Sequence, residues 1–414
     1  MPFSVILILI LEALLALGLL YAAGVLKSLR AWLIAAGLTA AAFVLRGALL
    51  SYETLDYQDF LAVWVDWFRA SGGLHALAYP VGNYNVPYLT LLALFSGAGM
   101  RDLYWIKFIS MFFDVVLAFG AMQLVGRFTE RTWRKLLAFF AVLFWPTVVL
   151  NGSLWAQCDS IYSALLVLGL WLMLDERPWL GVAAMGAAFA FKLQAVFLLP
   201  MLVLFWIARK IKWYHLAAFP AVNVLLVLPA VFTGRGLWDA LTVGLQQTGS
   251  IGLGLNYNSP SIFALFTSIA NTQAASNVGI LTAALVIALL AMVVWYDRDI
   301  LSDRVLLLCA VIMSIAVPFF LPHMHDRYFF CADIMSLVLA CTELWLTPIA
   351  IGCEYASLLG YHAYLKMRYL HTMDYGAVVL ILAMVWLVGL LVQELRTCRN
   401  NVQPSTQQIV SNEK

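Results

Sequence analysis

Two carboxylates three residues apart, Asp56 and Asp59, stand at what reads as the start of a helix. A hydroxyl is a poor nucleophile until a positioned base removes its proton, and such a base contributes ~10²–10⁴-fold. Either carboxylate has the chemistry for that task. The competing use of Asp at a helix start is as an N-cap, where unpaired N–H groups and the helix dipole favour it. A second cluster, His323, His325, Asp326 and Arg327, follows Pro322. Proline suits the first turn of a helix, so the spacing predicts a helix here with its cationic candidates near the positive end, a place that favours anions. Arg327 has the planar fork that grips phosphate oxygens. The plainer alternative is an Asp326–Arg327 ion pair flanked by interfacial histidines. One His-x-His with one Asp lacks a further ligand set, so neither a metal nor another cofactor is expected.

Lys192 lies in the apolar stretch 180–208. Lysine inside a bilayer costs ~2.5–3.5 kcal/mol on insertion scales, which makes a functional role the default and snorkelling to an interface the alternative. Arg46, Lys107 and Asp114 are flagged by the same reasoning, with a structural Lys107–Asp114 network equally open. The run 151–162 sets Trp155 beside Gln157 and Asp159 at a predicted helix start. An indole face stacks on sugar C–H groups, and an amide with a carboxylate divides hydroxyls between donor and acceptor. A capping Asp159 with an interfacial Trp155 is the alternative, and Asn151 also opens a formal N-glycosylation sequon. The segment 252–260, with Asn256, reads as a flexible loop able to cover a substrate.

The elements that position these residues must live in lipid. Of 414 residues, 64% are apolar and 11% charged, and mean hydropathy is +0.91, whereas soluble domains carry roughly 25% charged residues. Backbone polar groups in a bilayer must be satisfied internally, which leaves helices or a closed barrel. Barrel strands alternate apolar and polar residues, but 4–26, 31–50, 280–295 and 378–392 are continuously apolar. The predicted fold class is therefore all-α, a polytopic transmembrane helical bundle. At ~15–24 residues per crossing it has about 11–13 spans, with 86–99, 180–208 and 347–372 ambiguous.

Short loops rich in Lys and Arg mark the cytoplasmic side. The loops 27–30, 127–135, 209–212, 298–304 and 396–399 qualify. This places 51–87, 151–160, 234–260 and 321–328 together on the extracytoplasmic face of the inner membrane. Within 51–87, Tyr57, Phe60, Leu61, Trp64, Trp67 and Phe68 recur at helical spacing, the pattern of a helix lying in the interface with its aromatic face in the lipid headgroups. A transmembrane domain, 1–396, is followed by a polar tail, 397–414, expected to be disordered and cytoplasmic. The net charge of +2 comes with no basic patch larger than a loop, so nucleic acid is not an expected partner; membrane lipid is. The six cysteines read as small core residues. No Gly-rich nucleotide loop is evident, which argues against a sugar-nucleotide donor.

Taken in order, the stretches 56–64, 83–89, 155–162, 191–197 and 322–329 resemble the bacterial relatives of the second mannosyltransferase of GPI-anchor synthesis, in the GT-C superfamily. Val63, Val86, Ala156 and His323 depart from that pattern, which often has Pro, Pro, Gly and Lys or Arg at those places. The resemblance implies a GT-C-like fold and an inverting transfer from a polyprenyl-phosphate sugar to a hydroxyl of a glycan, lipid or protein acceptor. It implies Asp56 as the base, with Asp59 second. His325, Arg327, Lys192 and His323 would meet the phosphate and its developing charge. Trp155, Gln157, Asp159, Gln194 and Asn256 would touch sugar or acceptor. A transporter or flippase of lipid-linked intermediates is the rival reading, and the chain shows no internal repeat of the kind transporters often carry.

Overall fold

The computed structural model describes residues 2–250 and 254–412, with side chains for all but 246–250 and 402–412. The chain is an all-α polytopic membrane protein, a helical bundle. Among the described residues seven helices are long and apolar enough to cross a bilayer, or eight if the bent pair Thr132–Phe144 and Pro146–Leu154 is one span. By this measure the expected total of about 11–13 is not reached, because apolar stretches break into shorter pieces. The stretch 180–208 becomes the helix Pro178–Phe191, the 3₁₀ turn Leu193–Phe197 and the helix Met201–Ile207. Val86–Phe95 and Phe330–Thr342 are likewise short.

The residues group into two compact units, one of 1–172, 179–195 and 217–252, the other of 173–178, 196–216 and 253–414. In the first, Asp102–Gly126 is the inner helix, and Phe3–Ala22 and Thr132–Phe144 pack against it. Phe3–Ala22 buries the stripe Val5, Glu12, Ala16 and Leu20. It turns Leu7, Ile10, Leu11 and Leu14 outward, as suits a helix whose solvent is acyl chain. Leu29–Leu49 starts at Ser28, whose Oγ accepts the Ala31 N–H at 3.2 Å.

The segment expected to lie in the headgroups is a π-helical turn, Tyr57–Leu61, running into the helix Ala62–Ala70. Of its periodic face, Tyr57, Leu61, Trp64 and Phe68 share a buried apolar cluster with Tyr88, Leu92, Trp105 and Ile106, while Phe60 is exposed. Amphipathic spacing shows that one face is covered, but protein and lipid are equally good covers for apolar side chains.

In the second unit Asp303–Phe320 is the inner helix, almost wholly enclosed, with Gln273–Tyr296, Phe330–Thr342 and Met373–Asn412 against it. Ser302 and Thr272 cap their helices through Val305 N–H and Ala275 N–H. No helix opens at Pro322, contrary to expectation. His323 takes a left-handed conformation, φ +63°, and Met324–His325 pairs in parallel with Asn256–Tyr257. The His323 N–H finds the Leu255 carbonyl at 2.8 Å, so the segment satisfies its backbone in this short ladder and helix resumes only at Phe330. At Gly360 in the helix Thr347–Lys366, a Cβ would collide with the Asp326 carbonyl and come within 2.9 Å of the Asn258 carbonyl. Only glycine lets that helix pass the ladder so closely.

The last helix, Met373–Asn412, runs through the boundary expected at 396/397. Residues 397–401, just beyond it, are helical. Arg399 anchors this part to Asp297 through two hydrogen bonds, of 2.8 and 2.7 Å.

Candidate active site

Asp56 stands at the N-cap position of the π-helical turn Tyr57–Leu61, but its side chain does no capping. The Thr54 hydroxyl accepts the Tyr57 N–H at 3.4 Å and donates to the Trp155 carbonyl at 3.1 Å. Asp56 makes no capping bond with its side chain. Its Oδ2 instead accepts from Trp155 Nε1 at 2.9 Å and from Gln157 Nε2 at 2.8 Å. Capping, the bland use of this aspartate, has passed to its neighbour. The Asp56 carboxylate is half-buried, while Asp59 is exposed.

Three further contacts hold the approach to this turn. The Lys107 ammonium donates to the carbonyls of Leu49, Leu50 and Tyr52 at 3.0, 3.1 and 2.7 Å. It thereby satisfies the orphan carbonyls where Leu29–Leu49 ends. Tyr57 donates its hydroxyl to Asp102 Oδ1 at 2.9 Å, and burial, with that carboxylate, pushes the phenol's pKa up. Glu53 accepts from Gln58 Nε2 at 2.9 Å and pairs with Arg101. The Gln58 bond first, and Arg101 second, hold its carboxyl below the ordinary range.

Trp155 and Gln157 reach Asp56 through a broken helix. Thr132–Phe144 stops at Trp145, and Pro146 restarts the chain at a bend of 44°. The turn then widens into the π-helical segment Val149–Leu154, and Ala156 adopts φ +65° before the helix Asp159–Leu174 begins. Widened turns of this kind recur at functional sites. A Cβ at Gly152 would lie 3.2 Å from Ser110 Cβ, so the missing side chain lets the wide turn rest on Asp102–Gly126. There Ser110 Oγ donates to the Gln157 carbonyl at 2.6 Å. Gln157 Oε1 accepts from the Tyr84 hydroxyl at 3.0 Å, which fixes the amide's orientation. The Trp155 ring, offered by the sequence as a sugar platform, is fully buried, and Gln157 is 2% exposed. In this geometry both hold Asp56 rather than present a surface.

Asp159 and Lys192 form a buried ion pair, Nζ to Oδ1 at 2.5 Å. Asn151 Nδ2 donates to Asp159 Oδ2 at 2.7 Å, and its Oδ1 accepts the Asp159 N–H at 3.3 Å. The ammonium also lies 5.5 Å from the centre of the Tyr84 ring. Lys192 therefore neither snorkels nor stands in mid-helix: it follows the end of Pro178–Phe191 and meets a carboxylate. Gln194 is buried as well. A second buried pair joins Arg46 to Asp114, whose Oδ2 accepts from Nε and Nη2 at 3.2 and 3.0 Å. Arg46 Nη1 donates to the Leu143 carbonyl at 2.8 Å, and Ser160 Oγ donates to Asp114 Oδ1 at 2.5 Å. The suggested Lys107–Asp114 network is thus replaced by Arg46–Asp114.

The second unit gathers the remaining candidates. His323 is used structurally: Nδ1 meets the Gly254 carbonyl at 2.6 Å and Nε2 meets Ser276 Oγ at 3.2 Å. His325 stacks on Tyr257 with ring centres 4.7 Å apart. Arg327 Nη1 lies 3.8 Å from Asp326 Oδ1, a loose contact for an ion pair. Asn256, expected to touch sugar, closes a local turn with both ends of its amide: Nδ2 to the Ser259 carbonyl at 2.8 Å and Oδ1 from the Ser259 N–H at 2.9 Å. The loop expected to be flexible is tied down at this point, while Gly252 lies outside the described residues.

Asp56, Trp155, Gln157, Asp159 and Lys192 are thus linked within one unit, and His323, His325, Arg327 and Asn256 within the other. Sequence reasoning missed Thr54, Tyr84 and Ser110, and it took Asn151 only as a sequon. Tyr84 did lie in one of the stretches already singled out, between Asn83 and Asn85. Among the described residues no three of His, Cys, Asp or Glu come together as a metal ion would need.

A lipid-embedded helical bundle with a carboxylate oriented by two N–H donors, matching a glycosyltransferase family over more than half its length, is a membrane glycosyltransferase. The chain belongs to glycosyltransferase family 87, whose profile matches residues 84–322. The match takes in Tyr84, Trp155, Gln157, Asp159, Lys192 and Asn256; Asp56 precedes it and His325 and Arg327 follow it. No individual curated protein matches the chain. Family membership favours the enzyme over the transporter, and with it a sugar donor and an acceptor.

Proposed function

We propose that the protein transfers a sugar, mannose in the first instance, from a polyprenyl-phosphate donor to an acceptor hydroxyl with inversion, and that Asp56 is the general base. The carboxylate takes the hydroxyl proton as the acceptor oxygen bonds to the sugar C1. The bond from C1 to the phosphate oxygen breaks, and its electron pair leaves on the lipid phosphate. The observation that carries this reading is the Asp56 carboxylate, excused from capping and held by Trp155 and Gln157 through one oxygen. A base so oriented loses little in finding the reactive geometry. The donor class and the mannosyl character rest on the sequence resemblance, as do the roles of His325 and Arg327 at the phosphate. The charge pattern of the loops supports a site on the extracytoplasmic face of the inner membrane.

The test is turnover with synthetic polyprenyl-phosphate sugars by the purified protein. Asp56→Asn should cost about 10²-fold or more, the worth of a general base, with donor binding nearly unchanged. Asp59→Asn, at an exposed carboxylate, should cost far less. Normal transfer by Asp56→Asn would remove Asp56 from the mechanism.

A further inference from the structure

The second unit contains a cleft of about 660 Å³, within the ~300–1,000 Å³ usual for ligand pockets. One wall is the short strand Asn256–Tyr257 with its flanks. Side chains alternate between the two faces of a strand. Tyr257 stacks on His325 while Asn256 lines the cleft, and Asn258, just past the strand in a left-handed conformation (φ +56°), lines it too. This wall is well fixed. The Leu255 N–H donates to Asn271 Oδ1 at 3.1 Å, and the Tyr369 hydroxyl donates to Asn258 Oδ1 at 2.5 Å.

Those two bonds use the amide oxygens of Asn271 and Asn258 and leave their NH₂ groups as donors at the cleft. Asp374 supplies a carboxylate acceptor on the lining, and Phe263 and Phe266 supply apolar ring surface. Among the described lining residues there is no Lys, Arg or His. A phosphate or other anion would find no counter-charge here and would face Asp374. Amide donors and a carboxylate acceptor suit vicinal hydroxyls, and ring surface suits the C–H face of a sugar.

We propose that this cleft binds a neutral glycan through Asn258, Asn271 and Asp374 with Phe263 and Phe266 against its rings. The choice of a glycan as ligand rests on the transferase reading above; binding itself does not depend on Asp56.

The experiment uses the full chain carrying Asp56→Asn, in detergent, titrated with short neutral gluco- and manno-oligosaccharides and followed by saturation-transfer NMR. Inorganic phosphate is the charged competitor. At least one oligosaccharide should bind saturably, and phosphate should not displace it. Asn258→Ala and Asp374→Ala should each weaken binding about tenfold, the loss of one good hydrogen bond. Phe266→Ala, at an exposed ring, guards against misfolding and should weaken binding too. No saturable binding, displacement by phosphate, or unchanged affinity in the folded variants each overturns the proposal. Normal turnover by Asp56→Asn would instead overturn the choice of base and leave the binding result standing, so the two failures are distinguishable.

Discussion

Replacing Trp155 with Phe keeps an aromatic ring in a fully buried place and deletes the Nε1–H that lies 2.9 Å from Asp56 Oδ2. A hydrogen bond to a charged group contributes about 1.5–3 kcal/mol, and each 1.4 kcal/mol is about tenfold in rate. If the whole worth of the bond lies in orienting the base, kcat falls about 10- to 150-fold. Gln157 remains as a donor at 2.8 Å, so the lower end, about tenfold, is expected. The decisive measurement is a double-mutant cycle with Asp56→Asn. Once the base is gone there is nothing left to orient, and Trp155→Phe should then cost almost nothing more. A tryptophan that stacked on the sugar would behave differently: its loss would fall on KM and would be the same in both backgrounds. The assay is single-turnover transfer from a radiolabelled polyprenyl-phosphate sugar by the four proteins. Thermal unfolding is measured in parallel, because a smaller ring leaves space in the core. Full additivity of the two substitutions would refute the orienting role.

Arg327→Ala should strongly reduce transfer in a protein that still folds, and Arg327→Lys should remain impaired because it keeps the charge but loses the planar fork; wild-type turnover in either would release this residue from the phosphate. Lys192→Met should destabilise the protein by about 3–5 kcal/mol, because Asp159 is then left buried without its cation. The double change Lys192→Met with Asp159→Asn should recover most of that loss in a detergent melting assay, and a single variant that melts like wild type would show the pair to be dispensable. For sidedness, Ser71→Cys should react with an impermeant thiol reagent from outside intact cells while Glu130→Cys stays protected. All six native cysteines are buried, which keeps the background low. The reverse labelling pattern would overturn the proposed face.

The membrane-embedded helical class was legible from composition and uninterrupted apolar runs, because a bilayer permits so few backbone solutions. Asp56, Trp155, Gln157, Asp159 and Lys192 were all legible as unusual residues, because buried polar groups and intramembrane charges are costly enough to be rare. Their assignments were less legible. Lys192 read as a phosphate ligand or a snorkelling lysine and lies against Asp159. Pro322 has a residue type that suits a helix start, yet the carbonyl of Leu255 draws the next residue into a ladder. Local preference gave way there to a partner 68 residues away in the chain.

What the sequence determined by itself is therefore the solvent, the element type and the short list of residues able to do chemistry. Those follow from the cost of each residue in lipid, a property of the residue and its near neighbours. Pairing was decided by the tertiary structure. Trp155 and Gln157 lie 99 and 101 residues from Asp56, and they reach it through a bend at Pro146, a widened turn and a close approach at Gly152. Apolar periodicity tells which face is covered but not by what, so Trp64 and Phe68 read equally well as membrane anchors or as core. A hydrogen bond between distant residues depends on where two helices come to rest, and that is set by packing in three dimensions rather than by any spacing along the chain.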